Sequence, residues 1–109
     1  MNDIRQLQDA IGRFCDERDW GQFHNLKDLS AAIAIEAAEL QECFLWKKPE
    51  EARPEKIREE LADVLIYALR MADRADLDVA EIVRANIRRN AEKYPVEKAK
   101  GVAKKYTEA

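Results

Sequence analysis

Residues 54–75 read PEKIREELADVLIYALRMADRA, and this stretch decides the fold. Ile57, Leu61, Val64, Ala68, Met71 and Ala75 recur in steps of four and three, the period of an α-helix. Pro54 suits the first helical position, where its missing N–H costs nothing, and Glu55 complements the positive helix end. Between Leu61 and Ala72 only Asp63, Tyr67 and Arg70 interrupt a helix that is apolar nearly all round. Such a helix is expected to be largely buried. A carboxylate inside it is costly unless it is paired or holds a cation.

Working outward, residues 26–44 carry the same period at Leu26, Leu29, Ile33, Glu36, Leu40 and Cys43. Asn25 is the expected N-cap, with Asp28 in the first turn. Asp3 to Arg18 form a first helical segment through Ile4, Leu7, Ile11 and Phe14. The junction Asp19-Trp20-Gly21-Gln22-Phe23-His24-Asn25 separates it from the second. Asp78 and Glu81 resemble a capping box opening a fourth segment, which Pro95 ends near Tyr94. The spacing predicts an all-α fold, a four-helix bundle.

Composition agrees with this. The chain has 109 residues, 47% hydrophobic and 38% charged, with only three glycines and three prolines. That is one globular domain, placed at residues 1–95, and too few turn residues for an all-β architecture. Residues 96–109 form a basic tail with Lys98, Lys100, Lys104 and Lys105, read as a loose arm or a short helix. The formal charge of −3 argues against nucleic acid as a partner, since that binding needs clustered cations. Cys15 and Cys43 lack metal-type spacing and are expected to be reduced thiols of a cytoplasmic protein. The first residues predict no signal peptide, and no apolar run is long enough to span a membrane.

The chemistry lies in the interrupted stripes. Glu36 and Glu39 share one face of the second helix, and Glu60 and Asp63 share one face of the third. In an antiparallel hairpin turning between Pro49 and Glu50, Glu36 falls level with Asp63 and Glu39 with Glu60. Four carboxylates converging there repel, and some of their pKa values rise unless cations fill the site. An all-oxygen set without His or Cys suits Mg²⁺, with Mn²⁺ as a substitute. A single acidic pair is ordinarily a solvated helix face; two at matching levels on apolar surfaces are not explained that way.

Glu36-Ala-Ala-Glu39-Leu, then Glu59-Glu60-Leu-Ala-Asp63-Val, then Asn90-Ala-Glu-Lys93-Tyr94-Pro95, together resemble the MazG-like all-α nucleotide pyrophosphohydrolases. With Arg-Asp19-Trp20-x-Gln22-Phe23-His24 ahead of the first pair, the resemblance is to the dCTP pyrophosphatase branch. It covers roughly residues 1 to 95. It implies Mg²⁺-dependent hydrolysis of dCTP-like or modified nucleoside triphosphates to monophosphate and pyrophosphate. The implied metal ligands are Glu36, Glu39, Glu60 and Asp63. Trp20, Trp46 and Tyr67 match positions enclosing the base, Asn90 a base or sugar contact, and Lys93 a phosphate contact. Asn86 stands where the branch often carries Lys, and it is kept with Asn90 as a substrate contact.

Glu39 is the candidate base for the attacking water. His24 is read either as a donor to phosphate or as a loop hydrogen bond. Trp20 and Trp46 flank opposite ends of the second helix, so enclosing one base together needs a folded-back junction or a second subunit. The apolar girth of the third helix points to a homodimer or homotetramer. Two alternatives remain at this level. One is a relative acting on dUTP or phosphoribosyl-ATP; the other is a helical interaction module with a structural cation.

Overall fold

In a computed structural model, residues 3–105 and 107 are described; Met1, Asn2, Tyr106, Glu108 and Ala109, including the end of the basic tail, lie outside them. The described residues are helical without a strand. The order is α1 (Asp3–Glu17), α2 (Leu26–Glu42), α3 (Pro54–Arg74), α4 (Val79–Lys93) and a short α5 (Val96–Ala99). Single 3₁₀ turns at Gly21–Phe23 and Pro49–Glu51 fill the first two junctions. The all-α expectation holds, and each helix ends within about two residues of its expected limit. No helix among the described residues is long and apolar enough to cross a membrane.

Local chemistry explains the boundaries. Asn25 Oδ1 accepts the Asp28 N–H at 2.8 Å, and its Nδ2 donates back to Asp28 Oδ2 at 2.8 Å. Asp78 Oδ1 accepts the Glu81 N–H at 2.9 Å and opens α4 in the same way. Pro54 occupies the first turn of α3.

The ends of α1 and α3 share one device. Asp19 and Asp76 adopt left-handed backbone, with φ of 55° and 58°. Each lets the next residue close the helix: Trp20 N–H bonds Cys15 O and Leu77 N–H bonds Ala72 O, both at 2.9 Å. This is the Schellman closure usually given to glycine. An aspartate in that role carries no punctuation that a sequence reading recognises.

The chain divides into two compact units, Met1–Leu77 and Asp78–Ala109. In the first, α3 packs against both α2 and α1. Leu29, 1% exposed, anchors this unit with Cys15, Cys43, Ala52 and Ala72. Gln8 on α1 is also buried, and its Nε2 donates to the Leu69 carbonyl of α3 at 3.0 Å. Arg5 reaches Asp73 at 3.0 Å on the same seam. The second unit contains α4 and α5, joined at Tyr94-Pro95, where the Tyr94 N–H bonds Asn90 O at 2.8 Å.

The expectation of a largely buried α3 is not met within this chain. Leu61, Leu65 and Ile66 are 45%, 52% and 41% exposed, because α1 and α2 cover only part of its circumference. Truncating the anchor tests the core: Leu29→Ala lowers unfolding free energy by about 2–5 kcal/mol in denaturant titration. A loss under about 1 kcal/mol would show that the α2–α3 seam is held elsewhere.

Candidate metal centre and adjoining cavity

The 3₁₀ turn at Pro49–Glu51 reverses the chain between α2 and α3 and sets their register. Three carboxylates meet there. Glu36 of α2 and Glu60 and Asp63 of α3 bring ligand oxygens within 4.8 Å of one another. Glu36 Oε2 and Glu60 Oε2 are buried without any hydrogen-bond partner. Glu60 Oε1 has Lys56 Nζ at 3.6 Å, while Glu60 itself retains only 13% side-chain exposure. Two orphaned, buried carboxylate oxygens are costly, and a hard divalent cation answers that cost with the oxygen donors present.

Glu39 is not part of this trio; it stands on the same helix, exposed, one turn beyond Glu36. It is still felt electrostatically. Burial, then Glu39, then the charges of Asp63 and Glu60 push the Glu36 carboxyl up to about 7. The structure therefore gathers three of the four expected ligands and leaves the fourth at the rim.

An apolar cavity of about 400 Å³ adjoins the carboxylates through Asp63. Trp20, Tyr67, Phe14, Ile11 and Ile66 line it, with His24 and Arg70 among its polar members. Trp20 packs edge-on against Phe14, with ring centroids 5.6 Å apart. Burial and the charges of Glu36 and Asp63 raise the Tyr67 pKa, so its phenol stays protonated.

Trp46 does not line this cavity. It borders a separate groove with Phe44, Leu45 and Ala38, is 93% exposed, and holds left-handed backbone at φ 59°. The two tryptophans are thus separated within one chain.

His24 Nδ1 accepts from Arg70 Nε at 3.1 Å, and its carbonyl accepts from Arg74 Nε at 3.2 Å. The sequence marks Arg70 as an interruption of a nearly all-apolar helix, which is the signal for its burial, and gives Arg74 no such mark. Asn86, Asn90 and Lys93 lie on α4 of the second unit, all three exposed.

The Glu36 shift fixes a pH dependence. Its folded pKa of about 7 lies above the ordinary value of 4.5, so the folded state holds a proton the unfolded state has lost. That stability is fully present below 4.5 and is lost as pH rises through about 7. Cation-free protein is therefore expected to melt lower at pH 8 than at pH 5.5, and Glu36→Gln to flatten the slope. Thermal scans in chelator test this; an unchanged slope in the variant would remove Glu36 as the cause.

Residues 31–108 match the MazG-like family. The dCTP pyrophosphatase 1 of Bos taurus is 38% identical over 116 residues, covering 99% of this chain and 67% of that protein. The Homo sapiens protein of the same name is 37% identical over 116 residues, covering 99% and 66%. The chain thus spans about two thirds of the length of these relatives. The crystal structure of a pyrophosphatase from Archaeoglobus fulgidus DSM 4304 superposes with a TM-score of 0.81 at 36% identity. That alignment covers 87% of this chain and 94% of the other. A family match over most of the chain, relatives aligned over nearly all of it, and acidic helices in the matched region agree: the chain belongs to the MazG-like family and is an enzyme of the nucleoside triphosphate pyrophosphohydrolase class.

Proposed function

We propose that this enzyme hydrolyses dCTP-like or modified nucleoside triphosphates to monophosphate and pyrophosphate, removing them from the nucleotide pool. The observation that carries the reading is the pair of orphaned oxygens on Glu36 and Glu60, beside an aromatic cavity that shares Asp63 with them. A mildly acidic chain has little affinity for a triphosphate by itself, so the carboxylates need a cation as mediator. Glu36, Glu60 and Asp63 would hold Mg²⁺, or Mn²⁺ in its place, with Glu39 able to complete the set from the rim. When bound, the cation neutralises triphosphate charge and polarises the phosphoryl oxygens.

The remaining work belongs to the side chains. Trp20 and Tyr67 flank the base, at about 1–3 kcal/mol per stacked base. The protonated Tyr67 hydroxyl is available as a donor near the phosphates. Glu39, exposed and outside the trio, takes the proton of the water that attacks the α-phosphorus as the bond to pyrophosphate breaks. Asn86 and Asn90 are assigned to base or sugar contacts and Lys93 to phosphate, on the match of motif. His24 takes the loop role that its bond to Arg70 describes.

A homodimer or homotetramer is part of the same reading. The exposed row on α3 and the 93% exposed, left-handed Trp46 need cover that one chain does not provide. A second copy that buries the α3 row and brings Trp46 over the base would meet both needs. Mass measurement at micromolar concentration is expected to give a dimer or larger; a stable monomer overturns this part.

Product analysis with a panel of ribo- and deoxynucleoside triphosphates and Mg²⁺ tests the chemistry. Monophosphate and pyrophosphate are expected. Glu36→Gln or Glu60→Gln should cost at least about 100-fold in kcat/KM and weaken cation affinity, beyond the range of a supporting residue. Glu39→Gln should lower kcat by about 10²–10⁴, the range of a general base, with a smaller effect on cation affinity. Cation binding without any turnover would instead indicate a helical module with a structural cation.

A further inference from the structure

Arg70 is 5% exposed in the middle of α3, and a guanidinium keeps its charge wherever it lies. Its Nε–H donates to His24 Nδ1 at 3.1 Å. Among the described residues no carboxylate approaches it within 4.0 Å. Its ends lie beside glycines: a Cβ placed on Gly12 would be 3.7 Å from Nη1, and one on Gly21 3.6 Å from Nη2. Among the described residues Nη1 and Nη2 have no hydrogen-bond partner, and neither is sealed from solvent as Glu36 Oε2 and Glu60 Oε2 are. A guanidinium whose stem is buried and whose fork stays open to solvent exchanges that water for the acceptors of a ligand at small cost.

Two spaces border the guanidinium. One is a hollow of about 540 Å³ that also holds Asp9, Asp16 and Asp73. Those three carboxylates oppose an anion there, so it is the weaker candidate. The other is the apolar cavity already placed beside the metal centre. Asp63, Tyr67 and Arg70 stand in that order on one stripe of α3, and seven residues of helix rise about 10 Å. A nucleotide with phosphates near Asp63 and its base beside Tyr67 therefore turns the far edge of the base toward Arg70.

The chemistry at that end is one-sided. A guanidinium cannot accept a hydrogen bond, so His24 Nδ1 is the acceptor of their bond and the imidazole proton is on Nε2. Burial and the charges of Arg70 and Arg74 lower the His24 pKa and keep it neutral. The polar groups remote from Asp63 thus offer donors only: Nη1, Nη2 and His24 Nε2.

We propose that Arg70, oriented by His24, is a specificity-determining residue that selects nucleobases presenting two adjacent acceptors. Cytosine meets the fork with O2 and N3, and guanine with O6 and N7. Adenine places an amino donor next to each acceptor on its hydrogen-bonding edges, and thymine places N3–H between its two carbonyls. Both leave a guanidinium donor unmatched. The inference rests on the reading that the triphosphate lies against Glu36, Glu60 and Asp63.

The test is kcat/KM for dCTP, dGTP, dATP and dTTP with Arg70→Met, Arg70→Lys and His24→Gln, each checked by thermal melting. The expected wild-type order puts dCTP and dGTP above dATP and dTTP by about ten-fold or more, as a bidentate contact provides. Arg70→Met collapses that ratio while retaining turnover of dATP and dTTP. Arg70→Lys, a point charge without the fork, fails to restore it. If Arg70→Met does not fold, His24→Gln reports instead, with the ratio reduced several-fold.

Equilibrium dialysis of the four monophosphates with Mg²⁺ measures the same preference without turnover, so an inactive wild type defeats the proposed reaction and not this assignment. An unchanged base ratio in the Arg70 variants overturns the proposal. So does an equal loss for all four bases, which would place the guanidinium on phosphate or toward the aspartate-lined hollow.

Discussion

Mutual repulsion of carboxylates between two packed helices is the constraint on which the rest of the structure depends. Glu36, Glu60 and Asp63 lie with ligand oxygens within 4.8 Å of one another, and two of those residues bury an oxygen with no partner. Nothing local favours that arrangement; each side chain alone would be better in water. It persists because the flanking stripes of α2 and α3 bury apolar surface in one register, and that register carries the acids with it. Part of the cost appears as the raised pKa of Glu36. The cluster is therefore a site under tension, of the kind a bound divalent cation would relieve.

Two functional groups of charges divide along α3, although Lys56 and Arg58 also lie in its first half and Asp73 in its second. Its first half carries Glu60 and Asp63, and its second half carries Arg70 and Arg74. The basic half ties down the junction between α1 and α2: Arg70 holds the His24 ring, while Arg74 donates to the carbonyls of His24 and Gly21 at 3.2 and 3.4 Å. That junction supplies Trp20 to the cavity, so the same arginines that order the loop also position an aromatic wall. The carboxylates of the centre and the arginines that hold the junction are thus laid out in sequence on a single helix. The rigidity of the helix, not of any loop, fixes the distance between them.

The open flank of α3 has a different origin. A helix apolar nearly all round requires neighbours on every side, and α1 and α2 supply only some of them. Leu61, Leu65 and Ile66 stay exposed, and so does Trp46 in left-handed backbone.

The amino-acid sequence by itself determined the helices, their order and the acidic pairs. Period, caps and proline placement are local, and Asn25, Asp78 and Pro54 each act within one turn of chain. It also determined the level at which Glu36 meets Asp63, because a short turn between two amphipathic helices leaves one register that buries both stripes. Helix ends at Asp19 and Asp76 were less legible, since left-handed closure by aspartate depends on what packs after it. Only the tertiary structure decided which carboxylates share a centre, leaving Glu39 at the rim, because a few degrees of helix rotation moves a side chain in or out. Only it showed that Trp20 and Trp46 part company and that Arg70 is buried beside the aromatic cavity. Those outcomes depend on side chains distant in sequence competing for one small volume, and no local pattern encodes the result.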